Sequence, residues 1–140
     1  MGAMDERLME RYGSREGAAE YARTYTRSPL RRPWNRRKLS VVLGALSRAG
    51  ASGEMLDVPC AAGRLVPVLL ERASRVTAVD LSPAMVEVAR ASLRAEVEAG
   101  RAVVVEGTAE SLPFPDGAFD TAVCWRLLHH LTDRGQYGVR

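Results

Sequence analysis

The sequence predicts an α/β domain built on a parallel sheet. Three observations carry that expectation. From residue 54 onward, short valine-rich runs alternate with helical stretches. The runs show little polar alternation, as suits strands covered on both faces. The order strand–helix–strand–helix–strand, with short links, supplies the crossovers that parallel neighbours need.

Each element has its own local reason. Residues 4–25 read as helical in pieces, with Leu8, Tyr12, Ala19, Ala22 and Tyr25 loosely on one face and Gly13 and Gly17 as interruptions. Ser28-Pro29 and Arg32-Pro33 break the chain. A second helix is expected from Trp34 to Ala49, because Leu39, Val42, Leu43 and Leu46 form an apolar stripe and Gly50 and Gly53 follow. Residues 54–59 (EMLDVP) read as the first strand. After the Ala62-Gly63 turn, Arg64 to Glu71 reads as a helix with Leu65, Val68 and Leu69 inward and Pro67 tolerated in the first turn. Arg75 to Asp80 is the second strand. Ser82 then caps a helix with Pro83 at its first position, and Gly100 stops it. Its expected buried stripe is Val86, Ala89, Leu93 and Val97, and it runs to about Ala99. Residues 101–106 and 119–124 supply the third and fourth strands.

With 140 residues and 46% hydrophobic content, the chain can bury a core. No apolar run approaches the roughly 18 residues of a membrane span. Charged residues in MGAMDERLMERYG break any signal-peptide core, so a cytoplasmic location is expected. Cys60 and Cys124 make neither a disulfide framework nor a metal site. The net charge is +3, yet residues 23–38 hold seven basic side chains and no acid, which leaves the remainder at −4. This segment reads as a patch for an anion or as a solvated basic face. No nucleic-acid motif accompanies it, so nucleic acid is not expected as a partner.

In a parallel α/β sheet, ligands bind outside the carboxyl ends of the strands. The first strand ends in Asp57 and continues through Pro59, Cys60, Ala61 and Ala62 to Gly63. The second ends in Asp80, 23 residues after Asp57. A carboxylate there is placed to accept hydrogen bonds from a ribose diol. The small-residue turn is expected to let backbone amides approach a ligand at the following helix start.

The stretches LDVPCAAGRL, AVDLSPAMVEVARA and GTAESLPFPDGAFDTAVCWRLLHHL appear in order over about residues 54–133. Together they resemble the small-molecule, type 11-like class I S-adenosylmethionine-dependent methyltransferases. The resemblance implies a Rossmann-like sheet with helices on both faces and strand order 3-2-1-4, preceded by N-terminal helices. Residues 1–50 would form those helices and the basic segment, and residues 51–140 the cofactor-binding half of the domain. It also implies S-adenosyl-L-methionine as cofactor and a small molecule as methyl acceptor.

The same resemblance distributes the site. Asp57, Pro59, Cys60, Ala61 and Gly63 would hold the methionine end of the cofactor, and Asp80 the ribose. Leu81 and Met85 would pack on the adenine, with Thr108, Ala109 and Glu110 beside it. Cys124 and Trp125 would face the methyl group and the acceptor. Pro59 and Ala61 stand where the family has glycines, and Thr108 where it has aspartate. Arg64 could face the cofactor's carboxylate or lie exposed. Tyr21 and Tyr25 could close over the cofactor or serve as packing residues. His129 and His130 are candidates for a catalytic base, the alternative being a local structural role in the turn after the fourth strand. A non-catalytic cofactor-binding module is the competing reading. A nicotinamide-dependent oxidoreductase is disfavoured because the loop lacks G-x-G-x-x-G. The full class I fold has seven strands and this chain reaches the fourth. That strand is therefore expected to be an open edge, either because the chain is truncated or because it self-associates there.

Overall fold

The computed structural model describes residues 13–27 and 32–125. Helix α1 spans Arg15–Arg27 and α2 spans Arg32–Arg48. Strand β1 (Gly53–Asp57) is followed by a single helical turn, α3 (Val66–Leu69), and by β2 (Ala73–Asp80). Then come α4 (Pro83–Ser92), α5 (Arg94–Glu98), β3 (Ala102–Glu106) and β4 (Thr121–Val123). The four strands form one parallel sheet in the order β3-β2-β1-β4, as expected.

Local chemistry explains the helix ends. Ser14 begins α1 by accepting the Gly17 amide on its Oγ at 3.0 Å. Gly17 therefore lies in the first turn and does not interrupt the helix, contrary to expectation. At the end of α2, Gly50 takes φ +62° while the amides of Gly50 and Ala51 return to Ser47 and Leu46. Gly100 ends α5 in the same way, with Arg101 bonded back to Glu96. Both are Schellman closures, which only a residue without a Cβ makes freely. Ser82 accepts the Met85 amide at 3.2 Å and caps α4, with Pro83 just inside.

Two helices are shorter than the sequence suggests. The expected helix over Arg64 to Glu71 is one turn, because Arg101 donates to the carbonyls of Leu70 and Ala73 and fixes the chain's swing into β2. The expected helix from Pro83 to Ala99 breaks at Leu93, whose φ of −106° and ψ of 24° are not helical. Leu93 stays buried, but the break turns α5 outward, and Val97 is exposed rather than part of the inner stripe. Strand β4 is also shorter than the expected 119–124.

The main core lies on one face of the sheet. Met55, Val76, Ala78, Ala102 and Val104 of the strands meet Val42 and Leu46 of α2, Val66 and Leu69 of α3, and Val86 and Ala89 of α4. The strand period of two sends Leu56, Val58 and Val79 to the other face. Among the described residues that face is covered by the loop after β3, through Ala109, Leu112, Phe114 and Phe119. Among the described helices, α2, α3 and α4 pack on the main-core face. Phe114 and Phe119 meet edge to face with centroids 5.1 Å apart.

Candidate functional site

The order of the strands makes β1 the point at which the chain reverses direction across the sheet. It continues to β2 on one side, and β4 later arrives on the other. Such a switch point opens a crevice at the carboxyl ends of the strands. Asp57 ends β1, and Asp80 and Glu106 end β2 and β3 as register partners.

Asp57 is fully buried, and neither of its oxygens has a hydrogen-bond partner. Burial, and after it the neighbouring Asp80 carboxylate, push its carboxyl up to about 8. Asp80 is buried as well but well supplied. Oδ2 accepts the Ala61 amide at 2.8 Å, and Oδ1 accepts the Ser82 amide at 2.9 Å. Burial raises its carboxyl, and the amides of Ser82, Ala61 and Leu81 oppose that shift. The Asp80-Leu81-Ser82 arrangement is an Asx turn, in which an aspartate bonds the amide two residues on. That signal was present in the sequence, although the partnership with Ala61 was not.

The loop from Val58 to Leu65 is shaped by its own backbone. The Val58-Pro59 peptide is cis, Ala61 has φ +48°, and Gly63 has φ +77°. The Cys60 amide donates to Val79 at 2.8 Å and the Gly63 amide to Cys60 at 2.9 Å. With the Ala61 amide on Asp80, three of the loop's donors are used within the fold, and proline supplies none at 59. These three amides hold the loop, and α3 is a single turn with little dipole to offer.

The remaining predicted residues fall in separate places. Cys60 is buried in the main core, where burial and the two aspartates push its thiol up. Pro59, Leu81 and Arg64 are half-buried. Gly63 is buried against Leu93 and Ala89. Met85 is buried with Ala18 of α1 and Ala84, and Tyr21 packs against the same cluster. Gly107 donates to the Asp80 carbonyl at 3.0 Å, so the loop after β3 starts beside the site. In that loop Thr108 pairs with Ser111 and its Oγ1 accepts the exposed Glu110's amide at 3.3 Å, while Ala109 lies on the opposite face of the sheet. The Val58 amide donates to Val123 at 3.0 Å and brings the exposed Cys124 next to the loop. Burial and Asp57 push the Cys124 thiol up. Trp125 packs against the main core. His129, His130 and the Tyr25 side chain lie outside the described residues.

A parallel sheet with two buried acids at adjacent strand ends, beside a switch point, defines an α/β domain of the nucleotide-cofactor class. Comparison with known proteins narrows it. The model of the methyltransferase domain family matches residues 55–138, and the chain belongs to that family. It is 39% identical over 101 residues to the ubiquinone biosynthesis O-methyltransferase of Xanthomonas euvesicatoria, covering 71% of this chain and 40% of that protein. The YcgJ protein of Bacillus subtilis matches with a TM-score of 0.56 at 33% identity, over 65% of this chain and 40% of that one. A Methanococcus maripaludis protein assigned as an S-adenosyl-L-methionine-dependent methyltransferase matches in fold, with a TM-score of 0.65 at 18% identity, over 79% of this chain and 49% of that one. The chain spans about two fifths of the length of the curated relatives it matches. No helix among the described residues is long and apolar enough to cross a membrane.

The residues fit the family's cofactor, S-adenosyl-L-methionine. The unpartnered Asp57 carboxyl lies at the carboxyl end of β1, where a cationic methionine end would restore its charge. Asp80 keeps lone pairs beyond the two used by amides, enough for a ribose diol.

Proposed function

We propose that this chain is the cofactor-binding part of an S-adenosylmethionine-dependent methyltransferase acting on a small-molecule acceptor. The observation that carries this reading is that two buried acids, Asp57 and Asp80, end the neighbouring strands β1 and β2, with the Ala61 amide of the loop between them donating to Asp80. When bound, the cofactor supplies a methyl group activated by its sulfonium.

The chain's own residues bind and orient. Asp80 takes the ribose hydroxyls, and the loop from Pro59 to Gly63 seats the methionine end above Asp57. Leu81, Thr108, Ala109 and Glu110 border the nucleoside. Cys124 and Trp125 stand at the end of β4, on the acceptor's side of the switch point. Positioning of this kind supplies most of the rate in a displacement that needs no covalent help. An acceptor that must lose a proton also needs a base, for which His129 and His130 are the candidates. The name of the Xanthomonas relative makes an oxygen acceptor the first class to assay. In this reading residues 1–50 supply N-terminal helices and a basic segment, and residues 51–140 the cofactor-binding half of the domain. The chain works in the cytoplasm, where Cys60 and Cys124 remain thiols, and β4, the outermost strand among the described residues, serves self-association.

Calorimetry with S-adenosylmethionine, S-adenosylhomocysteine and NAD tests the reading. Binding of the two adenosyl ligands is expected. Failure of both at millimolar concentration would remove it, and tight NAD binding would replace it with an oxidoreductase. One observation favours a second reading, a binding module without turnover: the loop amides of Cys60, Ala61 and Gly63 are already used within the fold. Adenosyl binding without methylation of any acceptor would establish that version.

A further inference from the structure

Ala61 sits where glycine would be easier. Its φ of +48° is left-handed, a conformation that an L side chain adopts only when its surroundings enforce it. Two contacts enforce it. The amide donates to Asp80 Oδ2 at 2.8 Å, and the methyl packs against the cluster of Ala18 from α1 with Ala84 and Met85 from α4. Tyr21 of α1 packs against the same cluster. Beyond this cluster, α1 meets α4 through the Arg15–Glu87 ion pair at 2.6 Å, whose side chains are largely exposed. An exposed pair of that kind holds little. The apolar seat that Ala61 borders is therefore an apolar tie between α1 and the site.

We propose that Ala61 is a positioning residue. Its methyl packs against the cluster that α1 and α4 share, and its amide orients Asp80, so the seating of α1 and the binding of an adenosyl ligand favour each other. This rests on the reading that Asp80 and the loop hold that ligand. A residue chosen only to satisfy the backbone at this position would be glycine, and glycine would take the methyl away from the cluster that seats α1. Because linkage is reciprocal, the factor by which seated α1 raises ligand affinity equals the factor by which ligand raises the seating of α1.

The test uses the full chain, its Ala61→Gly variant and an Ala18→Leu variant that unseats α1 from the other side by overfilling a buried position. Amide exchange of residues 15–27 is read with and without saturating S-adenosylhomocysteine, whose affinity is measured by calorimetry. Without ligand, Ala61→Gly should speed exchange in α1 roughly fivefold or more, while the unfolding midpoint stays level or rises as the backbone relaxes. Both variants should weaken ligand affinity by a similar factor, and ligand should slow α1 exchange in the parent chain but not in Ala61→Gly. Unchanged α1 exchange in ligand-free Ala61→Gly would overturn the proposal. So would ligand that binds the parent chain yet leaves α1 exchange untouched. If the parent chain binds no adenosyl ligand, the functional reading fails, and the ligand-free exchange still decides whether Ala61 holds α1.

Discussion

A Cβ placed on Gly63 would sit 2.6 Å from Cδ1 of Leu93. Gly63 also has φ +77°, so the loop after β1 meets the end of α4 at a point that has no room for a side chain. The same contact explains why Leu93 stays buried where the helix breaks: it fills the space under the loop.

Gly63→Ala is therefore expected to destabilise the chain by about 2–4 kcal/mol, combining left-handed strain with overpacking. Urea unfolding measures it. A midpoint equal to the parent's would mean that the loop can move away from Leu93 at no cost.

Asp57 should shape the pH dependence of stability. Its folded value of about 8 lies above the unfolded value near 4, so the folded chain holds the extra proton between them. Stability from this group is complete below about pH 4 and is lost as pH rises through about 8, on the order of a few kcal/mol in all. Asp57→Asn cannot titrate, so its stability should vary less over that window. Parallel slopes of unfolding free energy against pH for the two proteins would contradict the assignment.

Asp80→Asn replaces a charge-assisted acceptor of two amides with a neutral group that has one oxygen. Affinity for S-adenosylhomocysteine should fall about tenfold or more, equivalent to about 1.4 kcal/mol, with a smaller loss of stability. Calorimetry on both proteins is the measurement. Equal affinities would take Asp80 out of the site.

Arg90 reaches from α4 to the edge strand β3, where Nε and Nη2 donate to the Val104 carbonyl at 3.0 and 2.8 Å. Arg90→Met keeps the apolar stem and removes the donors, at a cost of about 1 kcal/mol. Amide exchange along residues 102–106 should quicken in the variant. No change there would show that the edge holds itself without the clamp.

The pattern of legible and hidden features follows how far each signal reaches along the chain. Ser82-Pro83, Gly50 and Gly100 were readable because a cap or a left-handed stop is decided within a few residues. Val97 was misplaced because the stripe assumed a continuous helix, and the break at Leu93 answers to Gly63, thirty residues earlier. The helix after β1 was overestimated for a similar reason: Arg101 fixes the Leu70 carbonyl from the far side of α4.

Within the site, the acids that end the strands and the small-residue loop that joins them were legible along the chain, because strand alternation and turn chemistry are local. That Asp57 is left without a partner while Asp80 accepts two amides, and that Met85 and Ala61 pack in the cluster holding Ala18 of α1, came only with the folded chain. Burial and hydrogen-bond partners depend on which distant segments close over the strand ends. In this chain those segments are α1, α4 and the loop bearing Ala61, whose contacts exist only once the sheet has brought them together.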